Sequence, residues 1–173
     1  MVRVGETVTF TAEVSGEELS YQWESRSGIL PWGDVASEIR PSLSVTPRSR
    51  THSGTAYRLL ASNAAGSVAS DAARLTVAKA RSRVEATLDK PRVQVGERAW
   101  VRVQVTAPGP RPTGQVRMLV NDSSVAVRWL DAGRVSVRLP GLQRGEHQVR
   151  ADYLGSTNTA RSSSGPMTLQ VTR

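Results

Sequence analysis

Few side chains in this sequence could do covalent or metal chemistry. There is no cysteine, which excludes a disulfide, a thiolate nucleophile and a cysteine metal site. The two histidines, His52 and His147, lie in different halves of the chain, so a histidine metal site or a Ser-His-Asp triad would need those halves to meet. The acidic residues lack the spacing of a calcium loop, and Asp131-Ala132-Gly133 is interpreted as a turn. We therefore expect no catalytic residue, no metal site and no cofactor.

One surface pattern does suggest binding. The valines of residues 101–105 alternate with polar residues, which predicts a strand whose valines face the core. The alternate positions of this strand and of the strand expected beside it then place an indole among guanidinium groups: Trp100, Arg98, Arg102, Arg134 and Arg138. An arginine over an exposed tryptophan is favourable by about 0.5–1 kcal/mol. Two interpretations stay open: the arginines merely cover the indole, or this is a contact surface for a neighbouring protein or for an anionic or sugar polymer.

The positive charge is concentrated in the second half of the chain. The net charge is +8, with 7 basic and 8 acidic residues in positions 1–78 and 16 basic and 7 acidic residues in positions 79–173, a net of +9 there. Basic surfaces usually have anionic partners. The scarcity of lysine (only Lys79 and Lys90) is, however, also what G+C-rich coding produces. Arg117 and Arg150 are expected on the opposite sheet, so the charge does not form one stripe interleaved with aromatics, and nucleic acid is not an expected partner.

Composition favours an all-β protein with a packed core. Hydrophobic residues make up 38% and charged residues 22%, and there is a single phenylalanine, which favours strands with modest side chains. No stretch approaches 18 apolar residues, so no membrane span is expected. The first ten residues lack the apolar core of a secretory signal. We expect either an excised piece of a larger protein or a protein assembled without secretion.

Two β-sandwich modules, residues 1–78 and 79–173, are predicted to position these side chains, joined by a short polar linker. Alternation of apolar and polar residues in the first module predicts five strands, with these apolar positions: Val8, Phe10, Ala12 and Val14; Tyr21 and Trp23; Leu43 and Val45; Tyr57, Leu59 and Ala61; Val68, Leu75 and Val77. The second module is predicted to contain seven strands. An irregularity is expected in the last strand of the first module, around residues 70–73.

The first module is similar to bacterial immunoglobulin-like domains of the intermediate type. The similarity is carried by VGETVTFTAEVSGEELSYQWES and SLSVTPRSRTHSGTAYRLLASNAAGSVASDAARLTV. It implies that Trp23 and Tyr57 keep the family's core frame, while Ala12 and Leu59 stand where that family has two cysteines. Packing of this small–large pair then replaces a disulfide worth about 2–4 kcal/mol. The similarity also implies a tyrosine corner, with the Tyr57 hydroxyl bonded to the backbone near residues 50–53.

The family usually has a strand before the VGETVTF run, and this sequence begins only three residues earlier. Three interpretations stay open: another chain or segment supplies the strand, the edge of the next strand is unpaired and can accept one, or a sequence boundary falls there. The second module resembles a bacterial immunoglobulin-like repeat that is common in tandem arrays. Its most specific element is the GLxxGxHxVxAxYxG pattern of residues 141–155.

These resemblances imply a non-enzymatic structural or adhesive segment (a stalk, spacer or interaction module) of a surface protein from a G+C-rich bacterium. The expected location is extracellular. The expected partners are other protein subunits or neighbouring domains, bound through the edge strand and the basic face, and anionic or sugar polymers of the cell envelope. One alternative is a bacteriophage virion protein that decorates the capsid or tail. Another is an accessory carbohydrate-binding module that binds through Trp100 or Trp32.

Replacing Trp100 with threonine tests the predicted strand register. If Trp100 faces solvent, Trp100→Thr leaves the protein folded, because threonine keeps the β propensity and no core contact is lost. Circular dichroism and a thermal melt measure this. A variant that no longer folds would show that the register is wrong.

Overall fold

The protein is built from β-strands in two compact units. The computed structural model describes residues 1–36 and 38–173, and the chain divides into Met1–Ala78 and Lys79–Arg173. In the described residues the only helical element is one 3-10 turn at Arg50–His52. The prediction of an all-β sandwich fold is confirmed.

The described residues of the first unit form nine short strands. They are β1 (Val2–Arg3), β2 (Val8–Thr11), β3 (Ser20–Arg26), β4 (Gly33–Asp34), β5 (Ser42–Val45), β6 (Ala56–Asn63), β7 (Gly66–Ala69), β8 (Ala73–Arg74) and β9 (Val77–Ala78). One sheet has the order β4-β3-β6-β7, with β8 also paired to β6, and β2 pairs with β5. The irregularity expected around residues 70–73 separates β7 from β8.

Aromatic and aliphatic packing holds this first unit together without a disulfide. Trp23, Tyr57 and Leu59 are buried, and the Phe10 ring lies 6.4 Å from the Trp23 ring and 5.1 Å from the Tyr57 ring. Ala12 is only half-buried and lies beyond the end of β2. The strand predicted to run through Ala12 and Val14 is therefore too long. β2 ends at Thr11, and Phe10, two residues before Ala12, provides the ring that packs against Trp23 and Tyr57.

The implied tyrosine corner is wrong. The Tyr57 ring stacks on Phe10, and burial raises the pKa of its hydroxyl above the ordinary value. Within the described part of the chain, no hydrogen bond joins that hydroxyl to residues 50–53. This segment is fixed in another way, because the Ser53 hydroxyl accepts a hydrogen bond from the Val77 N–H at 3.0 Å.

The residues before β2 form a strand of their own. β1 runs parallel to β9, with Val2 opposite Val77, and both Val2 and Val4 are buried. β2 pairs with β5 only, as far as the described residues show, so its other edge has no strand beside it. Completion of that edge by another chain or segment stays a prediction.

The second unit also has nine strands in the described residues. They are β10 (Arg83–Leu88), β11 (Arg92–Gln94), β12 (Trp100–Thr106), β13 (Gln115–Val120), β14 (Ser123–Trp129), β15 (Arg134–Arg138), β16 (Gly145–Tyr153), β17 (Ser162–Ser163) and β18 (Met167–Thr172). One sheet has the order β10-β12-β15, and the other has the order β11-β18-β16-β13-β14, with β17 beside β16. The predicted set of seven strands lacked β11 and β17, which are too short for alternation to reveal.

The inner faces of these two sheets form one hydrophobic core. Most of its members are valines from alternate strand positions, and Met118, Tyr153 and Leu169 fill the wider gaps. The Tyr153 hydroxyl donates a hydrogen bond to the Thr113 carbonyl at 2.6 Å, so its one polar atom is satisfied at the edge of the core. The core leaves the other face of the three-stranded sheet free for contacts with solvent or ligands.

Truncating Leu59 tests the packing that stands in place of the disulfide. Leu59 is 1% exposed, and Leu59→Ala removes buried methyl groups and leaves a cavity, so we expect a loss of about 2–4 kcal/mol in the free energy of unfolding of the first unit. The matched control is Leu30→Ala in the same unit, where the side chain is 61% exposed and the expected change is within about 0.5 kcal/mol. Urea denaturation measures both. Equal losses would contradict a core role for Leu59.

Candidate functional site

Alternate residues of β10, β12 and β15 form the solvent face of the three-stranded sheet. Along β12 the burial alternates strictly, with the valines of residues 101–105 inside and their neighbours outside. In the register with β15, Trp100 lies opposite Arg138 and Gln104 lies opposite Arg134. We call this surface the arginine face, and its exposed side chains are Glu85, Thr87, Trp100, Arg102, Gln104, Arg134, Ser136 and Arg138.

The structure places four of the five predicted surface residues on the arginine face, and the fifth, Arg98, before the start of β12. Trp100 is 43% exposed, and its backbone N–H donates a hydrogen bond to the Asp89 carboxylate at 2.7 Å. Within the residues that the structure describes, no guanidinium lies over the Trp100 ring. The cation–π pairs that it contains involve Trp32 instead.

Three arginines of the arginine face carry positive charge that, among the described residues, no carboxylate neutralises by a direct contact. In the described structure, no ion pair or hydrogen bond engages three of its guanidinium groups: Arg102, Arg134 and Arg138. The opposite sheet differs, because Arg150 pairs with Asp152 at 3.1 Å and with Asp122 at 3.5 Å. An anionic partner would therefore meet unpaired guanidinium groups on the arginine face.

The most exposed indole of the second unit was missed by the sequence analysis. Trp129 is 70% exposed and lies at the end of β14, opposite Gln115 of β13. The only signal in the sequence was an aromatic residue two positions before the predicted turn at Asp131. Alternation of apolar and polar residues does not tell which side chains from other strands surround such a position. The structure shows that Trp129 lines two neighbouring grooves.

The larger groove lies over the arginine face and has a volume of about 850 Å³. Its lining side chains include Glu85, Thr87, Arg102, Gln104, Trp129 and Arg134. The second groove, of about 610 Å³, shares Trp129 with the larger one and is lined partly by Pro110, Leu130 and Leu154. Both volumes lie within the usual range of small-molecule sites, roughly 300–1,000 Å³.

A two-residue hairpin turn fixes Arg134 relative to Trp129. Asp131 and Arg134 exchange backbone hydrogen bonds of 2.8 Å in both directions, and the two residues between them have positive φ, 47° at Ala132 and 81° at Gly133. Positive φ at both central positions is the signature of a type I′ turn. The Gly133 carbonyl also accepts from the Val105 N–H at 2.8 Å. The turn predicted for Asp131-Ala132-Gly133 is thus present and is anchored to β12.

The first unit has an aromatic cluster of different character. The guanidinium carbons of Arg26 and Arg58 lie 4.6 Å and 4.3 Å from the centre of the Trp32 ring, and Arg58 also pairs with Glu24 at 2.6 Å. Trp32 is half-buried. The two arginines therefore cover this indole. Their positive charge is partly compensated within the unit, because Glu24 pairs with Arg58.

The histidines lie apart from both surfaces. His147 Nε2 lies 2.8 Å from the Gln143 carbonyl and Nδ1 lies 3.1 Å from the Asn121 side-chain amide, so both ring nitrogens have partners that order the loops around β16. His52 is exposed at the 3-10 turn. A search of the described residues finds no cluster of histidine and acidic side chains suited to a metal ion. It also finds no helix with the length and hydropathy of a membrane span.

Comparison with known families and sequences gives two matches. A profile of the family described as Bacterial Ig-like domain (group 3) matches residues 86–172. Endoglucanase C of Cellulomonas fimi is 34% identical over 174 residues, which cover 99% of this chain. The chain spans only 15% of the length of that enzyme.

The chain is also similar to several solved structures at low sequence identity. The fibronectin(III)-like modules of Clostridium thermocellum CbhA are 15% identical, with a TM-score of 0.43 over 98% of this chain and 86% of that one. The four N-terminal Ig domains of Dscam1 isoform 9.44 are 13% identical, with a TM-score of 0.46 over 99% of this chain and 42% of that one.

Substituting Gly133 tests the turn that holds the groove. A Cβ at this position would lie 2.9 Å from the Val105 carbonyl oxygen, and the φ of 81° disfavours any side chain, so Gly133→Ala should cost about 1–3 kcal/mol of the second unit's stability. In the control, Gly141→Ala, the added Cβ meets no atom within 4 Å, and the expected change is within about 0.5 kcal/mol. Thermal unfolding of both variants measures the difference. A neutral Gly133→Ala would mean that the turn is not anchored as described.

Proposed function

The chain belongs to the bacterial Ig-like domain family, group 3, and from this we propose that it is a non-enzymatic segment of a modular bacterial protein that acts outside the cell. It holds neighbouring domains apart and contacts anionic polymers of the envelope through the arginine face. The observation that carries this proposal is the set of unpaired guanidinium groups, Arg102, Arg134 and Arg138, on a rigid sheet.

The comparison with Endoglucanase C supports a modular role. Almost the whole chain aligns with a small fraction of that enzyme, which is the relation expected of a segment reused within longer proteins. A protein of that name acts on a polysaccharide, so a chain used in such a setting would work next to polysaccharide and outside the cell. The strand content and the packed cores of both units support the spacer role.

The charge distribution supports the contact role. The second unit carries a net charge of +9, against −1 in the first, so the attraction to anionic polymers comes from the second unit. Attraction between exposed charges extends over about 8 Å at physiological ionic strength and weakens as salt is added. Because Arg102, Arg134 and Arg138 have no carboxylate partner among the described residues, binding an anion at these three groups breaks no ion pair seen in the structure.

A second candidate, an accessory carbohydrate-binding module, is favoured by the position of Trp129. The sequence-based version of this hypothesis used Trp100 or Trp32. The structure favours a different residue, because Trp32 is covered by arginines whereas Trp129 is 70% exposed between two grooves. This candidate and the structural role are compatible in one chain.

Cosedimentation with isolated Gram-positive cell walls tests the contact role. We expect the protein to bind at low salt and to be released at about 0.5 M salt. The triple variant Arg102→Ser/Arg134→Ser/Arg138→Ser should lose most of the bound fraction. The control Arg81→Ser/Arg144→Ser/Arg161→Ser removes the same charge from exposed positions outside the arginine face and should keep most of it. Equal losses in both variants, no binding by the unmodified protein, or release of reducing sugar from cellulose or wall polysaccharide would overturn the proposal.

A further inference from the structure

We propose that the groove between Trp129 and the arginine face is a binding site for an acidic polysaccharide, one built from uronic acid residues. The Trp129 indole stacks on a sugar ring, and Arg102 and Arg134 pair with a uronate carboxylate. This inference rests on the proposed contact with envelope polymers and adds the class of ligand and the residues that recognise it.

The exposure of Trp129 is the first argument. An indole is a large, rigid, flat apolar surface with one N–H donor, and in most proteins such a side chain is covered. Trp129 is 70% exposed, and in the described structure neither a guanidinium nor another ring lies on it. The C–H groups on one side of a pyranose ring match the electron-rich face of an indole. A sugar ring on Trp129 would bury apolar surface that is otherwise exposed to water.

The arrangement of the arginines is the second argument. Arg134 lies opposite Gln104, and Arg102 lies two residues away on the same face of β12, so the two arginines are diagonal neighbours across the strand pair. Such positions are about 7–8 Å apart, which lets two long side chains reach one anion. Guanidinium groups bind carboxylates through two parallel hydrogen bonds, which adds geometric specificity to the attraction.

The other polar groups of the groove favour a sugar over a polyphosphate or a nucleic acid. Three neutral side chains line it beside the arginines: Thr87, Gln104 and Ser136. In the described structure none of the three has a hydrogen-bond partner, so they can pair with sugar hydroxyls. Glu85, which also lines the groove, is compensated by Arg83 at 3.2 Å. Asp131 lies at the rim, within the hairpin turn, and makes the groove less favourable for a densely charged polymer.

The second groove indicates that the ligand is a chain of several sugars. It shares Trp129 with the larger groove and offers apolar surface at Pro110 and Leu154 together with polar groups at Thr113 and Gln115. A polymer lying over Trp129 would occupy both grooves, whose volumes are about 850 and 610 Å³. We expect affinity to rise with oligosaccharide length until both grooves are filled.

Titration calorimetry of the full chain tests this site, with polygalacturonate as the probe. Neutral hydroxyethylcellulose, inorganic polyphosphate and single-stranded DNA serve as competing ligand classes. We expect Trp129→Ala to weaken polygalacturonate binding about tenfold or more, since truncating a central aromatic contact commonly has effects of this size. The matched control Trp100→Ala changes an exposed indole of the three-stranded sheet that lines neither groove, and it should alter the affinity less than twofold. Arg102→Gln/Arg134→Gln should abolish polygalacturonate binding.

Three other outcomes would overturn the inference, each in a recognisable way. Binding of polyphosphate or DNA as tight as that of polygalacturonate, with no effect of Trp129→Ala, would show an unspecific basic surface. Preferred binding of the neutral glucan, insensitive to the arginine changes, would show a neutral carbohydrate site. If Trp129→Ala lowers the melting temperature, the variant Trp129→Phe is measured instead, and it should retain part of the affinity for polygalacturonate. Binding to cell walls without binding to polygalacturonate would remove this inference and leave the proposed function standing.

Discussion

The alternation of side chains along β12 is the constraint on which the second unit depends. Successive residues of a strand point to opposite sides of the sheet, so the valines of β12 enter the core only if Trp100, Arg102 and Gln104 face solvent. A slip of one residue would exchange the two sets and bury guanidinium groups without partners. The same register that builds the core therefore also builds the arginine face. The free energy gained by burying the valines of β12 therefore also fixes the positions of the side chains on the arginine face.

Much of the fold could be predicted from the sequence because most long strands have one buried side and one solvated side. β10, β12, β15 and β16 follow this rule, and the buried valines of β12 are those that the sequence indicated. The strands that were not predicted, and the strand end that was placed too late, have physical causes. β11 and β17 are held by neighbouring strands rather than by a pattern of their own. β2 ends at Thr11 because the next residue in register on β5's side is Pro41, which accepts from the Ala12 N–H but has no N–H to donate in return. The end of a strand depends on partners distant in sequence.

The candidate site shows the same division between local and distant causes. The outward direction of Trp100 and the arginines follows from period two and was predictable. The groove at Trp129 was not, because it forms where β14, β15 and the turn between them meet residues of β10 and β12. Net charge was similarly incomplete as a guide. The sequence contains 16 basic residues in positions 79–173, but only the fold shows that Arg150 is paired while Arg102 and Arg134 are not.

The parallel pairing of β1 with β9 has a mechanical consequence. When the chain is pulled lengthwise, β1 and β9 slide along each other, so the hydrogen bonds of the pair, including Val2 N–H to Thr76 and Val4 N–H to Ala78, carry the load together. In the second unit β11 and β18 are paired in the same parallel sense. Each unit thus resists stretching in shear rather than opening like a zipper, which suits a segment under tension. A force measurement in which the units unravel bond by bond at low load would contradict this.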